Sequence, residues 1–361
     1  MKRWEKAVAN KWASSATHAF LLHLNISDQV WNEKENCFES LTEHLSSSTI
    51  LADACFVAIY NRADGIYFRS EEEEKRFLEF YKLLHPDVNS KRENIAEIIF
   101  YENRRKLFYA LELFGEMLNL SPDTCNETQK KVMEDAGLKE FCSSGKAPFF
   151  AVILEYAETI CPVDSATTCH EADRNAVVTL QVWAKSAKIQ NARNVIFLLA
   201  SGLSMVAQEI RSETNGVVPL KLEFPDLGDR LETIKFWRNT LPQKPDDLDD
   251  LQLARLSAGM SRNAIRNVMK EAHLKRIAIT PERIFAQKKR FIETQSGGLL
   301  EILQPMWGIE AIGGLEEHKR YIYEVVAAMK SGDLLAVPMG VLLLGAPGTG
   351  KTVFAESVAH E

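Results

Sequence analysis

The sequence predicts an α/β protein: a parallel sheet covered by helices, a small helical unit, and then the start of a second α/β domain. Two observations favour this class. Five short apolar runs rich in β-forming residues are separated by longer charged segments with helical spacing. A glycine-rich stretch near residue 345 lies between a sixth apolar run and another helix-like segment. Strands that alternate with helices form parallel sheets with both faces covered. The five runs are residues 19–26, 54–60, 149–156, 194–200 and 220–224.

Helical spacing marks the segments between and after these runs. The segments between them that we predict to be helical are residues 71–84, 107–118 and 175–186. Three shorter helices are predicted at 230–237, 251–256 and 261–273, and Gly259 separates the last two. Ile265, Val268 and Met269 fall on one face of the third of these helices. A small helical bundle is therefore predicted to follow the sheet.

Residues 281–306 are predicted to connect the two domains. Thr280 is a favourable N-cap and Pro281 suits the first helical position, so a helix should begin there. The glycine pair at 297–298 should interrupt it. The basic run at 288–290 is interpreted as a solvated helix face, and a positive rim on a central pore is the alternative.

Residues 345–352 read GAPGTGKT and match the GxxxxGK[ST] pattern of the phosphate-binding loop, or P-loop. The apolar run at 341–344 is predicted to be a buried strand before this loop, and Phe354 and Val358 recur at helical spacing after it. A strand, a glycine loop and a helix are the context that the motif requires. A glycine turn without a ligand is the alternative.

The chemistry of this loop follows from its residue types. Glycines allow a tight turn whose N–H groups point at a phosphate, and the helix N-terminus adds partial positive charge. Lys351 is predicted to reach the β- and γ-phosphates, and the Thr352 hydroxyl to bind Mg²⁺. The predicted binding residues are Gly345, Ala346, Pro347, Gly348, Thr349, Gly350, Lys351, Thr352 and Val353.

The segment at 340–361 resembles the Walker A region of AAA+ ATPases, in the branch of FtsH and the proteasomal ATPases. Residues 307–315, WGIEAIGGL, resemble the beginning of that branch's ATPase domain, with Ala311 where the family usually has Asp. The resemblance implies ATP with Mg²⁺ as cofactors, and Ile312 and Gly313 near the adenine. The family's acidic strand, sensor, arginine finger and lid are not found after the loop. We therefore expect a truncated or incomplete sequence, with no catalytic residue in this chain.

Residues 1–280 are similar to an AAA+ module in degenerate form. The stretch at 194–212 resembles the family's fourth strand and the segment after it. The stretch at 220–237 resembles the family pattern I.LPD...R..I, and that at 253–272 resembles the first lid helices. The resemblance implies a tandem protein with an inactive first module. The predicted domains are a degenerate α/β core at 1–227, a helical lid at 228–280, a connector at 281–306, and an incomplete ATPase domain at 307–361.

The degenerate positions of the first module carry specific expectations. The segment after its first strand contains no glycine, and Asp28 there would repel a phosphate. Glu155 and Glu158 stand where the family has an adjacent Asp-Glu pair, and Tyr156 replaces the general base. We expect both carboxylates to serve hydrogen bonds or an interface, with Mg²⁺ binding as the alternative. Arg211 is interpreted as a solvated or salt-bridged arginine, with a trans-acting finger as the alternative.

Composition narrows the classes further. A net charge of −7 disfavours broad electrostatic binding to nucleic acid. No run of about 18 apolar residues and no signal-peptide core is present, so we expect a cytoplasmic protein without a membrane segment. The six cysteines form no CxxC pair, and reduced thiols are expected. A metal site at Cys161, Cys169 and His170 is the alternative.

We expect the complete protein to bind ATP, to form a homo-oligomeric ring such as a hexamer, and to couple hydrolysis to remodelling of an unidentified protein or nucleic acid. The alternative is a non-catalytic assembly or regulatory protein with a vestigial P-loop. Reading the DNA beyond codon 361 separates them: a continuing frame with an acidic strand favours the ATPase, and a stop codon favours the alternative. A P-loop kinase or GTPase is disfavoured by the lid-like helices.

Overall fold

A computed structural model describes residues 2–85, 95–120, 149–163, 171–241, 248–295, 302, 305, 307–331 and 337–361. The chain divides into two compact units, Met1–Thr280 and Pro281–Glu361. The strands are β1 Ala19–Leu24, β2 Val30–Asn32, β3 Cys37–Glu39, β4 Ala54–Asn61, β5 Gly65–Tyr67, β6 Phe149–Leu154, β7 Val195–Ala200 and β8 Val217–Leu222.

The helices are distributed over both units. Those of the first unit are α1 Arg3–Ala13, α2 Leu41–Ser47, α3 Glu71–Leu84, α4 Ile95–Asn103, α5 Leu107–Leu118, α6 Ala157–Ile160, α7 Glu171–Ala184, α8 Ala187–Asn191, α9 Leu227–Thr240, α10 Asp250–Leu256 and α11 Arg262–Lys275. Those of the second unit are α12 Pro281–Gln295, α13 Glu316–Ser331 and α14 Lys351–His360.

The first unit is built on a six-stranded sheet in the order β5-β4-β6-β7-β1-β8. Every neighbouring pair is parallel except β4 and β5. The predicted fold class is confirmed, and each of the five apolar runs forms a strand of this sheet. Every residue of β4, β6 and β7 is buried. Strands covered on both faces need apolar side chains on both faces, which explains their continuous apolar sequences.

One apolar cluster lies on each face of the sheet. The first contains aromatic side chains from β4, α3 and β6, among them Phe56, Phe77 and Phe150. The second contains Phe20 and Phe197, whose rings stack at 5.6 Å. Burial of apolar area at about 25 cal/mol per Å² is the main stabilising contribution to such a core.

Two strand features were not predicted from the sequence. Strands β2 and β3 form an antiparallel hairpin in the connection after β1. Strand β5 returns antiparallel to β4 through a turn at Gly65, whose φ is +80°. Each of these strands has three residues, which is too short for alternation of apolar and polar residues to be recognised.

Helices α9, α10 and α11 form a lid that packs within the first unit. They correspond to the three helices predicted after the sheet and extend beyond them by up to three residues. Side chains of Asp226, Asp249 and Ser261 cap their N-termini. These side chains accept hydrogen bonds from backbone N–H groups that have no acceptor within the first helical turn.

The second unit contains a small apolar cluster of Ile309, Ile322 and Phe354. Helix α12 begins at Pro281 as predicted, and Lys289 in its basic run lies 3.7 Å from Glu293 on the next turn. That ion pair fits the interpretation of the run as a solvated helix face. The predicted interruption at 297–298 lies outside the described residues.

The prediction of a buried strand at 341–344 was wrong. These residues form no strand, and the exposed fractions of Leu342 and Leu344 are 80% and 84%. A parallel strand is held by hydrogen bonds to its neighbours in the sheet. The described residues of the second unit contain no other strand for this segment to pair with.

Candidate phosphate-binding loop and the cleft of the first unit

The glycine-rich loop of the second unit is shaped by two glycines in the left-handed region. Gly348 has φ +81° and Gly350 has φ +79°, values that other residues rarely adopt. Gly350 is also the N-cap of α14, so the loop turns directly into the helix. A Cβ at Gly345 would lie 3.0 Å from the Thr349 hydroxyl, so the loop closes tightly around glycine there as well. The first-turn N–H groups of α14 suit an anion.

The side chain of Lys351 folds back over this loop. Its Nζ donates to the carbonyl of Gly345 at 2.8 Å and to that of Ala346 at 2.7 Å. The Thr349 hydroxyl donates to the same Ala346 carbonyl at 2.8 Å. The ammonium group is therefore held beside the loop backbone, at the N-terminus of α14, where positive charges from the side chain and the helix dipole add.

The remaining predicted loop residues are on the surface. Pro347, Thr352 and Val353 are exposed, and Thr352 lies in the first turn of α14 next to Lys351. A Thr352 hydroxyl in this position is accessible to a ligand. The structure thus brings the predicted residues 345–353 together in one loop and helix start.

The predicted adenine segment lies in the same unit. Ile312 packs against the cluster of Ile309, Ile322 and Phe354, and Leu343 packs against the same cluster. Ile312 and Leu343, which lies just before the loop, therefore pack against the same small cluster. Nothing lies within 4 Å of the position that a Cβ would take at Gly313, so that backbone is open to approach.

In the first unit, Asp28 lies in the segment after β1, for which a degenerate P-loop was predicted. It is 5% exposed, and its carboxylate accepts the backbone N–H groups of Arg262 and Asn263, both at 2.8 Å. These are the first two residues of the lid helix α11. The carboxylate that would repel a phosphate instead binds the N-terminus of a helix from the same chain.

Glu155 serves hydrogen bonds, as expected. Its carboxylate accepts from the hydroxyls of Thr42 at 2.5 Å and Tyr67 at 2.7 Å, and from the amide of Asn61 at 2.8 Å. Burial raises the pKa of Tyr67, and the bond to Glu155 raises it further. Thr42 was missed at the sequence level, although the capping box formed by Ser40 and Glu43 marks the start of its helix.

The remaining expectations for the degenerate positions concern Glu158, Tyr156 and Arg211. Glu158 accepts the Ser201 hydroxyl at 2.5 Å, which again fits a hydrogen-bonding role. Tyr156, at the expected position of the general base, is 56% exposed with φ +51°. Arg211 is half-buried. Within the described ranges, no group of three or more His, Cys, Asp or Glu is arranged to hold a metal ion.

The thiol of Cys161 is buried and donates to the Ala157 carbonyl at 3.1 Å. Burial raises the pKa of Cys161 to about 12, which makes it an inert thiol. Cys169 and His170, the other members of the alternative metal site, lie outside the described residues. No helix among the described residues combines the length and apolar character needed to cross a membrane.

A mostly parallel sheet with a helical lid, followed by a glycine loop at a helix N-terminus, defines an α/β protein of the P-loop type. Family models give the more specific assignment. One described as the N-terminal Rossmann-like domain of AAA+ chaperones matches residues 1–221, and one described as their second helical domain matches residues 233–297. The first alone covers more than half of the chain. The chain belongs to this AAA+ chaperone family.

Individual relatives agree with this assignment. The uncharacterized AAA domain-containing protein ycf46 of Guillardia theta is 29% identical over 180 residues, which are 48% of this chain and 34% of the relative. A proteasome-activating nucleotidase of Methanothermobacter thermautotrophicus is 47% identical over 64 residues, 16% of each chain. An ATP-dependent zinc metalloprotease FtsH 2 of Bdellovibrio bacteriovorus is 51% identical over 55 residues, 14% of this chain and 9% of the relative. The chain thus spans about a third or less of these relatives.

Proposed function

We propose that the loop at residues 345–352 binds ATP with Mg²⁺. The observation that carries this proposal is the position of Lys351: its ammonium lies on the loop backbone, at the N-terminus of α14. Two glycines with positive φ leave the loop backbone accessible to a phosphate. An anion in this position meets a helix dipole, exposed N–H groups and one full positive charge.

Each predicted residue has a separate task in this site. Lys351 exchanges the carbonyls of Gly345 and Ala346 for oxygens of the β- and γ-phosphates, since a charged acceptor binds an ammonium more strongly than a neutral one. Thr352 is exposed beside it and supplies a hydroxyl for Mg²⁺. Ile312 offers an apolar contact for the adenine, and the open backbone at Gly313 allows a ring to approach closely.

We further propose that the whole protein is an ATPase that assembles into a ring and remodels a macromolecular partner in the cytoplasm. Membership of the AAA+ chaperone family supports this role. The residues described here support nucleotide binding, and no catalytic residue is assigned among them. In this proposal the first unit, whose segment after β1 contains no glycine, is a structural or partner-binding module.

Binding of MgATP to the complete chain tests the loop. We expect Lys351→Ala to weaken MgATP binding by about tenfold or more, because a contact between a lysine and a charged phosphate is lost. Titration calorimetry measures the affinity. Lys330→Ala is the matched control, since Lys330 is an exposed lysine of α13 in the same unit and its removal changes the net charge equally.

Two outcomes would contradict the proposal. The first is MgATP binding that is equal in the original chain, Lys351→Ala and Lys330→Ala. The second is an original chain that folds, as judged by circular dichroism, and binds no MgATP. The second outcome would favour the alternative function, a non-catalytic assembly protein with a vestigial loop.

A further inference from the structure

The first unit has a cleft between its sheet and its lid, at the carboxyl end of β1. Parallel α/β sheets bind ligands at this end of their strands. The cleft has a volume of about 740 Å³. Carboxylates outnumber cations along its walls, which is unfavourable for a polyphosphate. Its charged lining residues are Asp28, Glu33, Glu223, Asp226, Asp229, Lys2, Arg3, Lys221 and Arg262.

The connection after β1 binds the lid through Asp28. One carboxylate oxygen accepts the N–H of Arg262, and the other accepts that of Asn263. The Asn263 side chain donates back to the carbonyl of Ser27 at 2.7 Å. These N–H groups belong to the first turn of α11, which has no intrahelical acceptors for them. A negative charge there also interacts favourably with the helix dipole.

The same connection makes an apolar contact with the lid. The hairpin β2–β3 carries Trp31 and Phe38, whose rings lie 4.8 Å apart. Both meet Phe236 of α9 edge to face, at 5.3 and 5.1 Å, and Phe38 stacks on Trp237 at 6.4 Å. Aromatic pairs at these distances and angles add to the free energy gained from burial. The hairpin therefore holds α9, as Asp28 holds α11.

A third contact lies beside these two. Arg262 is 5% exposed, and its guanidinium donates to Asp229 at 2.6 Å. Asp229 also lies 3.3 Å from the ammonium of Lys2, in the segment before α1. The positive charge of Arg262, in the first turn of α11, is thus neutralised by Asp229 of α9.

We propose that the connection after β1 is a built-in clamp that keeps the lid of the first unit closed without a nucleotide. The carboxylate of Asp28 does for α11 what a phosphate does at a helix N-terminus: it accepts the free N–H groups and supplies negative charge. The hairpin provides the apolar part of the clamp. This inference concerns the first unit and is independent of ATP binding at residues 345–352.

Hydrogen exchange of the complete chain, followed by mass spectrometry, tests the clamp. We expect Asp28→Ala to accelerate exchange in α11, α9 and the hairpin by about tenfold or more, the effect of losing buried hydrogen bonds to a charged group. Asp249→Ala is the matched control: Asp249 caps α10 by accepting from Gln252 N at 2.6 Å, within the lid. Its effect should stay within α10.

Two further arms complete the experiment. Asp28→Asn keeps one acceptor oxygen and should give an intermediate acceleration, which provides a readout if Asp28→Ala does not fold. In the Lys351→Ala background, addition of MgATP should leave exchange in residues 226–275 unchanged. The proposal is overturned if Asp28→Ala and Asp28→Asn both leave α11 exchange unaltered, or if MgATP protects the lid in that background.

Discussion

At the scale of single residues, buried polar groups connect elements that are distant in the sequence. Asn194 is fully buried before β7. Its side-chain Oδ1 accepts from Phe150 N at 2.7 Å, and its side-chain Nδ2 donates to the Leu118 carbonyl at 2.6 Å. One side chain thus connects β6, β7 and the end of α5. Its loss would leave a buried donor and a buried acceptor without partners.

We therefore predict that Asn194→Ala lowers the free energy of unfolding of the first unit by about 2–3 kcal/mol. Urea unfolding followed by tryptophan fluorescence measures the change. Asn119→Ala is the control, because Asn119 is exposed and also donates to a backbone carbonyl, that of Gly115. Equal effects of the two substitutions would contradict a special role for Asn194.

The contacts of His44 with two glutamates shift its pKa. Its ring nitrogens lie 2.6 Å from a Glu5 carboxylate oxygen and 2.7 Å from one of Glu39. Burial lowers the pKa of His44, but the hydrogen bonds to these carboxylates outweigh it and raise the pKa above 6.5. Burial likewise opposes the shift of Glu5, yet bonds to His44 and to the Lys2 backbone bring its pKa below 4.5.

The direction of these shifts fixes a pH dependence. A raised histidine pKa stabilises the fold fully below pH 6.5, and this stabilisation is lost as pH rises through the folded-state pKa. A depressed glutamate pKa stabilises above pH 4.5 and is lost as pH falls. We predict that His44→Gln costs more unfolding free energy at about pH 5.5 than at about pH 9. Urea titrations at both values measure this, and a cost independent of pH would contradict it.

At the scale of elements, the tight return from β4 to β5 depends on one glycine. A Cβ at Gly65 would lie 2.6 Å from the carbonyl oxygen of Arg104, and that backbone cannot move away easily because Ile66 N donates to the same oxygen at 3.0 Å. Gly259, between α10 and α11, has a similar φ of +82° but nothing within 4 Å. A methyl group at Gly65 would therefore add steric overlap to backbone strain, whereas one at Gly259 would add backbone strain alone.

We predict that Gly65→Ala lowers the free energy of unfolding by more than about 3 kcal/mol. Gly259→Ala should cost only the strain of positive φ, about 1–2 kcal/mol. Thermal and urea unfolding of both variants measure the difference. A Gly65→Ala cost no larger than that of Gly259→Ala would show that the turn relaxes around the added methyl group.

At the scale of the whole molecule, sequence patterns predicted the features that depend on residues close together in the chain. Four of the five apolar runs formed the central strands β4, β6, β7 and β1, because burial on both faces leaves a continuous signal in the sequence. The fifth run formed part of the edge strand β8. The glycine turn before α14 was predictable because its glycines, Lys351 and Thr352 lie within eight residues of one another in the sequence. The run at 341–344 was predicted wrongly, since a strand needs neighbours that its own residues do not specify. The bond from Asp28 to α11 joins positions more than 200 residues apart, and spacing carries no information about it.

The Asp28 contact has a further consequence in terms of mass action. A dissociable ligand stabilises its protein by an amount that rises with the logarithm of its free concentration, and that amount vanishes on dilution. A carboxylate that is part of the chain cannot be diluted, so the closed lid keeps the same stabilisation whatever the supply of nucleotide. The stability of the closed lid is therefore independent of the nucleotide concentration. The occupancy of the loop at residues 345–352, by contrast, depends on the concentration of its ligand.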